Sequence, residues 1–392
     1  MPASLPLRTG LVGLLLIGLL LLALGGMAPL LVCAQPSDVR LTAERRPVEV
    51  GMEPAFFHLQ EEGNTLEQWS SHLWLSAPLG RRTHLWARAQ MATASATGRA
   101  SLDGVGDTRV GVSTVRSPGA GSLVGSLQVN IPSGRQSARS DQLETTVLLG
   151  QPAFEASVAS LGQGWSVVPG LTWALPLGDR VVAGLGGSFR YLGGYVPLED
   201  GGPTYTPGNE ILLNAGLDVR LRPATAWSLD VAYTRYGTDE FGGVETFAPG
   251  DRWTVTTQIR TSLGRQADVR ILGRYTGPGQ GTLPPPPGGA GGDRSLQALP
   301  ESLQGQVDGR FPLGRTVRMV VQARVARYAS TDATLRTAPP SDWDLGSRRT
   351  LTQVGGGPEI RIGDAVSWRP HVTYTGGTFR RITARFALIW RQ

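Results

Sequence analysis

Residues 317–325 read Val-Arg-Met-Val-Val-Gln-Ala-Arg-Val, and this stretch decides the fold class. Its odd-numbered positions are all apolar, whereas Arg318, Gln322 and Arg324 lie between them. Successive side chains of a β-strand point to opposite faces, so the spacing predicts a strand with one apolar and one polar face. The C-terminal stretch repeats the pattern, with Ile382, Ala384, Phe386, Leu388 and Trp390 set against Thr383 and Arg385.

The same alternation recurs from residue 48 onward in segments of about ten residues, as in transmembrane β-barrels. Strands of a soluble sandwich alternate in the same way, so the lengths of the connections between strands must distinguish the two folds. Short connections fall near 78–81, 116–121, 176–179, 222–225, 263–266, 312–315 and 362–365. Long ones alternate with them at 133–162, 192–208, 237–251, 276–300 and 329–349. Bacterial barrels have this asymmetry, with short periplasmic turns and longer outer loops.

Aromatic residues lie near many strand ends, as in the interfacial girdles of membrane barrels. They are Trp165, Tyr191, Trp227, Tyr233, Trp253, Trp368, Tyr374 and Trp390. A charged fraction of 17%, below the soluble average of roughly 25%, fits a protein with one face in lipid. The mean hydropathy of −0.09 is then the average of a lipid face and a polar interior.

We therefore predict an all-β fold, a transmembrane antiparallel up-and-down β-barrel over residues 48–392. Seven short turns, with both termini on the periplasmic side, imply about 16 strands. Fourteen is the alternative, because Met52, Glu53 and Pro54 interrupt the first strand, 48–60.

Residues 1–34 resemble a cleaved signal peptide, with Arg8, an apolar stretch Leu11–Leu24, and small residues before a cut after Ala34. An uncleaved anchor helix is the alternative, since Leu11–Ala34 is long enough to span a bilayer. Acylation of Cys33 is a weaker alternative, because Val32 precedes it. We expect residues 35–47 to form an N-terminal periplasmic segment and the barrel to lie in the outer membrane of the Gram-negative cell envelope.

The stretch from Gly104-Val-Gly-Asp107 to Asn130-Ile-Pro-Ser-Gly134 contains a family resemblance. It resembles a hairpin of outer-membrane transporters associated with meta-pathway phenol degradation, which are loosely related to the long-chain fatty-acid channel superfamily. This resemblance implies a porin-like transporter for small solutes.

The 37 basic residues are all arginine, and many fall on the predicted inner face. The candidates for a solute path are Arg88, Arg109, Arg190, Arg220, Arg260, Arg270, Arg274, Arg310, Arg318, Arg324, Arg369 and Arg385. They could favour anionic or acidic aromatic solutes, since pore-lining arginines set selectivity. Alternatively they form ladders with Asp218, Asp230, Asp268 and Asp308 that brace the wall.

Other chemistry has little support in the sequence, and we predict no catalytic residue, no metal site and no cofactor. Ser367 and His371 are four residues apart, about 13 Å along a strand, so they cannot form a hydrolase dyad. His72 and His84 could lie on neighbouring strands but lack a third ligand for a metal. Arginines dispersed over a dozen strands do not make a nucleic-acid surface.

The segment 133–162 differs from the other long loops because residues 142–156 are apolar enough to form a short helix folded inward. It would act as a constriction or gate, or simply pack on the rim. The 276–300 loop is rich in Gly and Pro. The leading hypothesis is passive passage of small solutes. The alternatives are a structural or surface-interaction barrel and, third, an outer-membrane lipid hydrolase. Expected partners are membrane lipid, the small solute, and the insertion machinery through the C-terminal strand.

Overall fold

The chain forms one closed antiparallel barrel, as its alternating faces predict. The computed structural model describes residues 47–158, 161–264, 267–283, 294–330 and 347–392. The barrel strands are β1 (Glu49–Glu61), β2 (Asn64–Leu79), β3 (Thr83–Ala96), β4 (Leu102–Val105), β5 (Thr108–Arg116), β6 (Ser122–Ile131), β7 (Ser166–Pro176), β8 (Val181–Leu192), β10 (Glu210–Arg222), β11 (Thr225–Tyr236), β14 (Arg252–Leu263), β15 (Ala267–Thr276), β18 (Ser302–Pro312), β19 (Val317–Tyr328), β20 (Arg349–Ile362), β21 (Val366–Gly377) and β22 (Arg380–Arg391).

These 17 strands make a 16-strand barrel, because β4 and β5 lie in line and both pair with β3. Gly106 and Asp107 form the break between them. β1 pairs with β22 and closes the ladder. Val48 and Gln392 exchange two backbone hydrogen bonds of 3.0 Å at the seam. Closure leaves no sheet edge, which a hydrocarbon environment would penalise by several kcal/mol per unpaired group.

Pro54 does not remove the first strand, so the count of 16 holds and the alternative of 14 is wrong. Proline lacks an N–H group, and the pairing of β1 with β22 skips Glu53 and Pro54. The pairing with β2 runs without a break from Glu49 to Glu61.

All seven predicted short turns are present, and five outer connections are long. Three further outer connections are short: 62–63 between β1 and β2, 97–101 between β3 and β4, and 378–379 between β21 and β22. The short outer connections therefore cluster on the side of the barrel that contains the seam.

The long outer connections contain short secondary-structure elements. They are the helix α1 (Leu143–Leu149) after a 3-10 turn (Ser140–Gln142), a sheet of β9 (Tyr205–Thr206), β12 (Asp239–Phe241) and β13 (Val244–Phe247), and a hairpin of β16 (Gly279–Leu283) and β17 (Arg294–Leu299). No helix in the described ranges is long and apolar enough to cross a membrane. The predicted signal peptide and almost all of the predicted periplasmic segment lie outside the described residues, as do 284–293 and 331–346 of two outer loops.

An apolar band covers the outside of the barrel. Leu171 in the middle of β7 is 55% exposed and Ile271 in the middle of β15 is 51% exposed. Aromatic side chains border the band, and Trp165 packs on Tyr191 with ring centroids 5.0 Å apart. A soluble protein rarely exposes such a large contiguous apolar surface, so this band is the face that lipid covers.

Candidate functional site inside the barrel

The outer connection between β6 and β7 folds into the barrel over its described residues 134–158 and 161–164, and we call these residues the inward segment. It begins and ends at the break in the wall between β4 and β5. There Asp107, 7% exposed, accepts hydrogen bonds from the backbone N–H groups of Gly134 (3.1 Å) and Gln163 (2.8 Å). The Asn130 side chain also donates to Asp107, at 2.8 Å. One buried carboxylate thus holds both ends of the segment against the wall.

The residues that carry the family resemblance are therefore the attachment site of the inward segment. Gly134 is required by close approach, since a Cβ there would lie 2.6 Å from the backbone nitrogen of Asp107. Ser133 adds a hydrogen bond from its hydroxyl to Thr108, at 2.8 Å.

The tip of the segment lies below the rim, among inward-facing side chains. Gln68 of β2 is fully buried, donates to the Val158 carbonyl at 2.7 Å and accepts from the Val158 N–H at 2.9 Å. Phe154 is 0% exposed and meets Phe379 edge-on, with ring centroids 5.4 Å apart. The Arg349 guanidinium lies 4.9 Å from the Phe154 ring centroid.

Glu155 fixes this tip electrostatically. Its carboxylate pairs with Arg324 of β19 (2.5 Å) and Arg381 of β22 (2.9 Å), and the Tyr328 hydroxyl donates to it at 3.1 Å. Burial raises the pKa of Glu155, but the hydrogen bonds and positive charges of Arg324 and Arg381 outweigh burial, so its pKa lies below the usual value of 4.5. Its backbone is in the left-handed region, with φ of 52°, which is unfavourable for a non-glycine residue.

Sequence reasoning identified the inward segment but missed the residues that hold it. The apolar run 142–156 predicted a short helix, and α1 confirms it. Gln68, Glu155, Arg349 and Arg381 carried no motif. Their partners are far away in the chain, 90 residues from Gln68 to Val158 and 226 from Glu155 to Arg381.

The strand register places all twelve arginines singled out above on the inner face of the barrel. Five form ion pairs: Arg190 with Glu210 (3.3 Å), Arg260 with Asp268 (4.0 Å), Arg270 with Asp308 (2.5 Å), Arg324 with Glu155 (2.5 Å) and Arg369 with Glu359 (2.6 Å). Arg274 is within hydrogen-bond distance of the Thr256 hydroxyl, at 3.4 Å. The other six, Arg88, Arg109, Arg220, Arg310, Arg318 and Arg385, form no ion pair with a described residue. The wall thus contains arginines with and without an ion-pair partner among the described residues, and their role in a solute path stays a prediction.

A cavity of about 330 Å³ lies beside the attachment site. Its polar lining comes from two neighbouring rows of the inner wall. Glu53, His72 and Gln90 form the row nearer the outer end, where Glu53 pairs with His72 and His72 with Gln90. Trp74, Arg88 and Arg109 form the next row toward the periplasmic end.

Tryptophans of this wall lie flat because glycines on neighbouring strands make room for them. A Cβ on Gly51 would come within 2.0 Å of the Trp74 indole, and one on Gly111 within 2.6 Å of the Trp86 indole. The Arg88 guanidinium lies 5.7 Å from the Trp86 ring centroid. Both indoles therefore leave space inside the barrel.

The histidines are not grouped. His72 pairs with Gln90 and His84 with Pro78, so the two lie six ladder positions apart on neighbouring strands. Ser367 and His371 both face inward on β21, with Arg369 between them. Within the described ranges, no three His, Cys, Asp or Glu side chains are grouped so that they could hold a metal ion.

A closed antiparallel barrel with an even strand number and an exposed apolar band is the architecture of bacterial outer-membrane proteins. The chain is of this class, and its place is the outer membrane.

Solved structures of outer-membrane proteins are similar in shape. One is an outer membrane channel from Pseudomonas putida F1, at 11% identity over 91% of this chain and 100% of that chain, with a TM-score of 0.41. The CymD monoaromatic hydrocarbon channel is similar at 13% identity over 94% of this chain and 95% of that chain, with a TM-score of 0.45. A bacterial polysaccharide outer membrane secretin is similar at 13% identity over 89% of this chain and 99% of that chain, with a TM-score of 0.45.

No protein-family profile and no curated protein sequence matches the chain. The closed barrel that the resemblance to outer-membrane transporters implies is present in the structure.

Proposed function

We propose that this protein is an outer-membrane channel for the passive passage of small solutes. The observation that carries the proposal is a polar inner wall that bounds a cavity of about 330 Å³ inside a closed barrel. Space among charged and polar side chains suits solutes in water, whereas a purely structural barrel would fill it with packed side chains.

The six arginines that form no ion pair with a described residue favour anionic solutes in this proposal. Arg88, Arg109, Arg220, Arg310, Arg318 and Arg385 supply positive charge to the inner wall without an ion-pair partner among the described residues. The paired Arg190, Arg260, Arg270, Arg324 and Arg369 brace neighbouring strands. They also belong to the candidate solute path, where they contribute little net charge.

A non-transporting structural or surface-interaction barrel is the second candidate. It is favoured by the buried tip of the inward segment, where Phe154 and Gln68 are both 0% exposed. We expect no enzymatic activity in either case, and lipase activity of the refolded protein would contradict that expectation. Lipid contacts the apolar band in both proposals, and the insertion machinery would recognise β22.

Conductance in planar bilayers distinguishes the two functions. The two proteins to compare are the full chain and a variant in which residues 141–156 are replaced by a short Gly-Ser linker. Current steps from the full chain support the channel. Steps from the variant alone support a channel closed by the inward segment. If neither protein conducts although both are folded in the bilayer, the channel proposal fails. Under a KCl gradient, the reversal potential should show preference for chloride.

A further inference from the structure

The cavity beneath the attachment site contains two arginines that face each other and form no ion pair with a described residue. Arg88 of β3 and Arg109 of β5 are direct cross-strand partners in the ladder. Like charges in directly opposed positions destabilise a sheet. Neither guanidinium forms an ion pair with a described residue, and the Arg88 guanidinium lies 5.7 Å from the Trp86 ring centroid.

One carboxylate, that of Asp107, attracts Arg109 but forms no ion pair with it. Asp107 also lines the cavity, but its two carboxylate oxygens already accept three hydrogen bonds, from Asn130, Gly134 and Gln163. Its place is fixed by the inward segment. The two guanidiniums therefore lack a carboxylate positioned to receive their N–H groups.

The opposite side of the cavity has a different character. Glu53 lies one row nearer the outer end, about 7 Å along the strand direction, and it forms no ion pair with a described residue. The indole of Trp74, on the Arg88 row, also lines the cavity; it lies over Gly51 and its N–H donates to the Glu49 carboxylate at 3.3 Å. The site thus has two cations, an indole surface and two carboxylates. Asp107 is already hydrogen-bonded at the attachment site, whereas Glu53 forms no ion pair with a described residue.

We propose that Arg88 and Arg109 bind the carboxylate of a small monoanion whose apolar body lies along Trp74, at a site directly beneath the inward segment. Guanidinium groups match carboxylates in geometry as well as charge. A volume of about 330 Å³ exceeds what an inorganic anion needs and suits a single aromatic ring. Glu53 restricts the charge, because a second negative group on the ligand would lie near its carboxylate. This proposal rests on the proposed channel and names a class of solute for it.

Equilibrium dialysis of radiolabelled benzoate against the folded barrel in detergent tests the site. We expect saturable binding, with benzyl alcohol and phthalate each competing at least about tenfold more weakly than unlabelled benzoate. Arg88→Gln and Arg109→Gln should each lower benzoate affinity about tenfold, because each removes a charge-assisted hydrogen bond. Glu53→Gln should raise phthalate affinity relative to benzoate.

Arg116→Gln is the matched control, since it removes the same charge from the exposed periplasmic end of β5 and should leave binding unchanged. Every variant is first checked for the folded, heat-modifiable band on gels. Lack of saturable binding to the wild type, equal affinity in all arginine variants, or equal competition by benzyl alcohol would each overturn the site. Chloride conductance measured without benzoate reports on the channel separately, so conductance without binding contradicts only the site, and binding without conductance contradicts only the channel.

Discussion

Asp107 shows how one side chain can determine the course of a long segment. It is buried in a break of the barrel wall and accepts three hydrogen bonds, two of them from the backbone at either end of the inward segment. Hydrogen bonds to an ionised acceptor are stronger than neutral ones. The backbone of Asp107 adds to this attachment, because its N–H donates to the Leu161 carbonyl at 2.8 Å instead of to a neighbouring strand.

Asp107→Asn should release the inward segment while the barrel stays folded. The amide replaces one acceptor oxygen by an NH₂ group, so one of the three donors loses its partner, at a cost of about 1–3 kcal/mol. Limited proteolysis should cut between residues 135 and 158 faster than in the wild type. Asp141→Asn is the control, because Asp141 is exposed and pairs only with Arg139. Equal cleavage rates in the two variants would contradict this role.

The inward segment is the element on which access to the interior depends. Glu155 anchors its tip to Arg324 of β19 and Arg381 of β22. Phe154 and Gln68 supply apolar and amide contacts nearby. The segment is thus held at its ends by Asp107 and at its tip by Glu155.

Acid should release the tip. Because the pKa of Glu155 lies below 4.5 in the folded protein, its ion pairs stabilise the packed segment fully above the unfolded pKa. That contribution is lost as the pH falls through the lower, folded pKa. Protease sensitivity of residues 135–158, or bilayer conductance, should rise below about pH 4. Glu155→Gln should show the released behaviour already at pH 7, and Glu62→Gln, at an exposed rim carboxylate, should behave as wild type. A pH response that survives in Glu155→Gln would refute the assignment.

The elements differ in how well the sequence predicts them, for a physical reason. Alternation along β19 or β22 reflects the local difference between lipid and interior, so a short window of sequence contains it. The turns are local too. Contacts such as Gln68 with Val158 join residues 90 apart, and no periodicity encodes them. The location of the arginines on the inner face of the barrel was predictable from the alternation. Their ion-pair partners were not, because pairing depends on the register between strands.

At the scale of the whole molecule, the alternation of the sequence reflects two environments, lipid outside the barrel and a polar interior. The outer face meets hydrocarbon and the inner face meets polar side chains, within one closed ladder that leaves no sheet edge. Whether a position tolerates a charged side chain should therefore depend on which face of the barrel it occupies. Neighbouring positions of one strand test this directly.

Leu171 and Thr172 form such a pair in the middle of β7. Leu171 faces lipid and is 55% exposed, whereas Thr172 faces inward opposite Val124 and Gly186. Leu171→Arg should lower the free energy of unfolding by about 2–4 kcal/mol, the cost of a cation at the bilayer midplane. Thr172→Arg should cost less, because Gly186 leaves room and the arginine stays among polar side chains. Guanidinium titration of both variants in lipid vesicles measures the difference, and equal losses would mean that the apolar band does not face lipid.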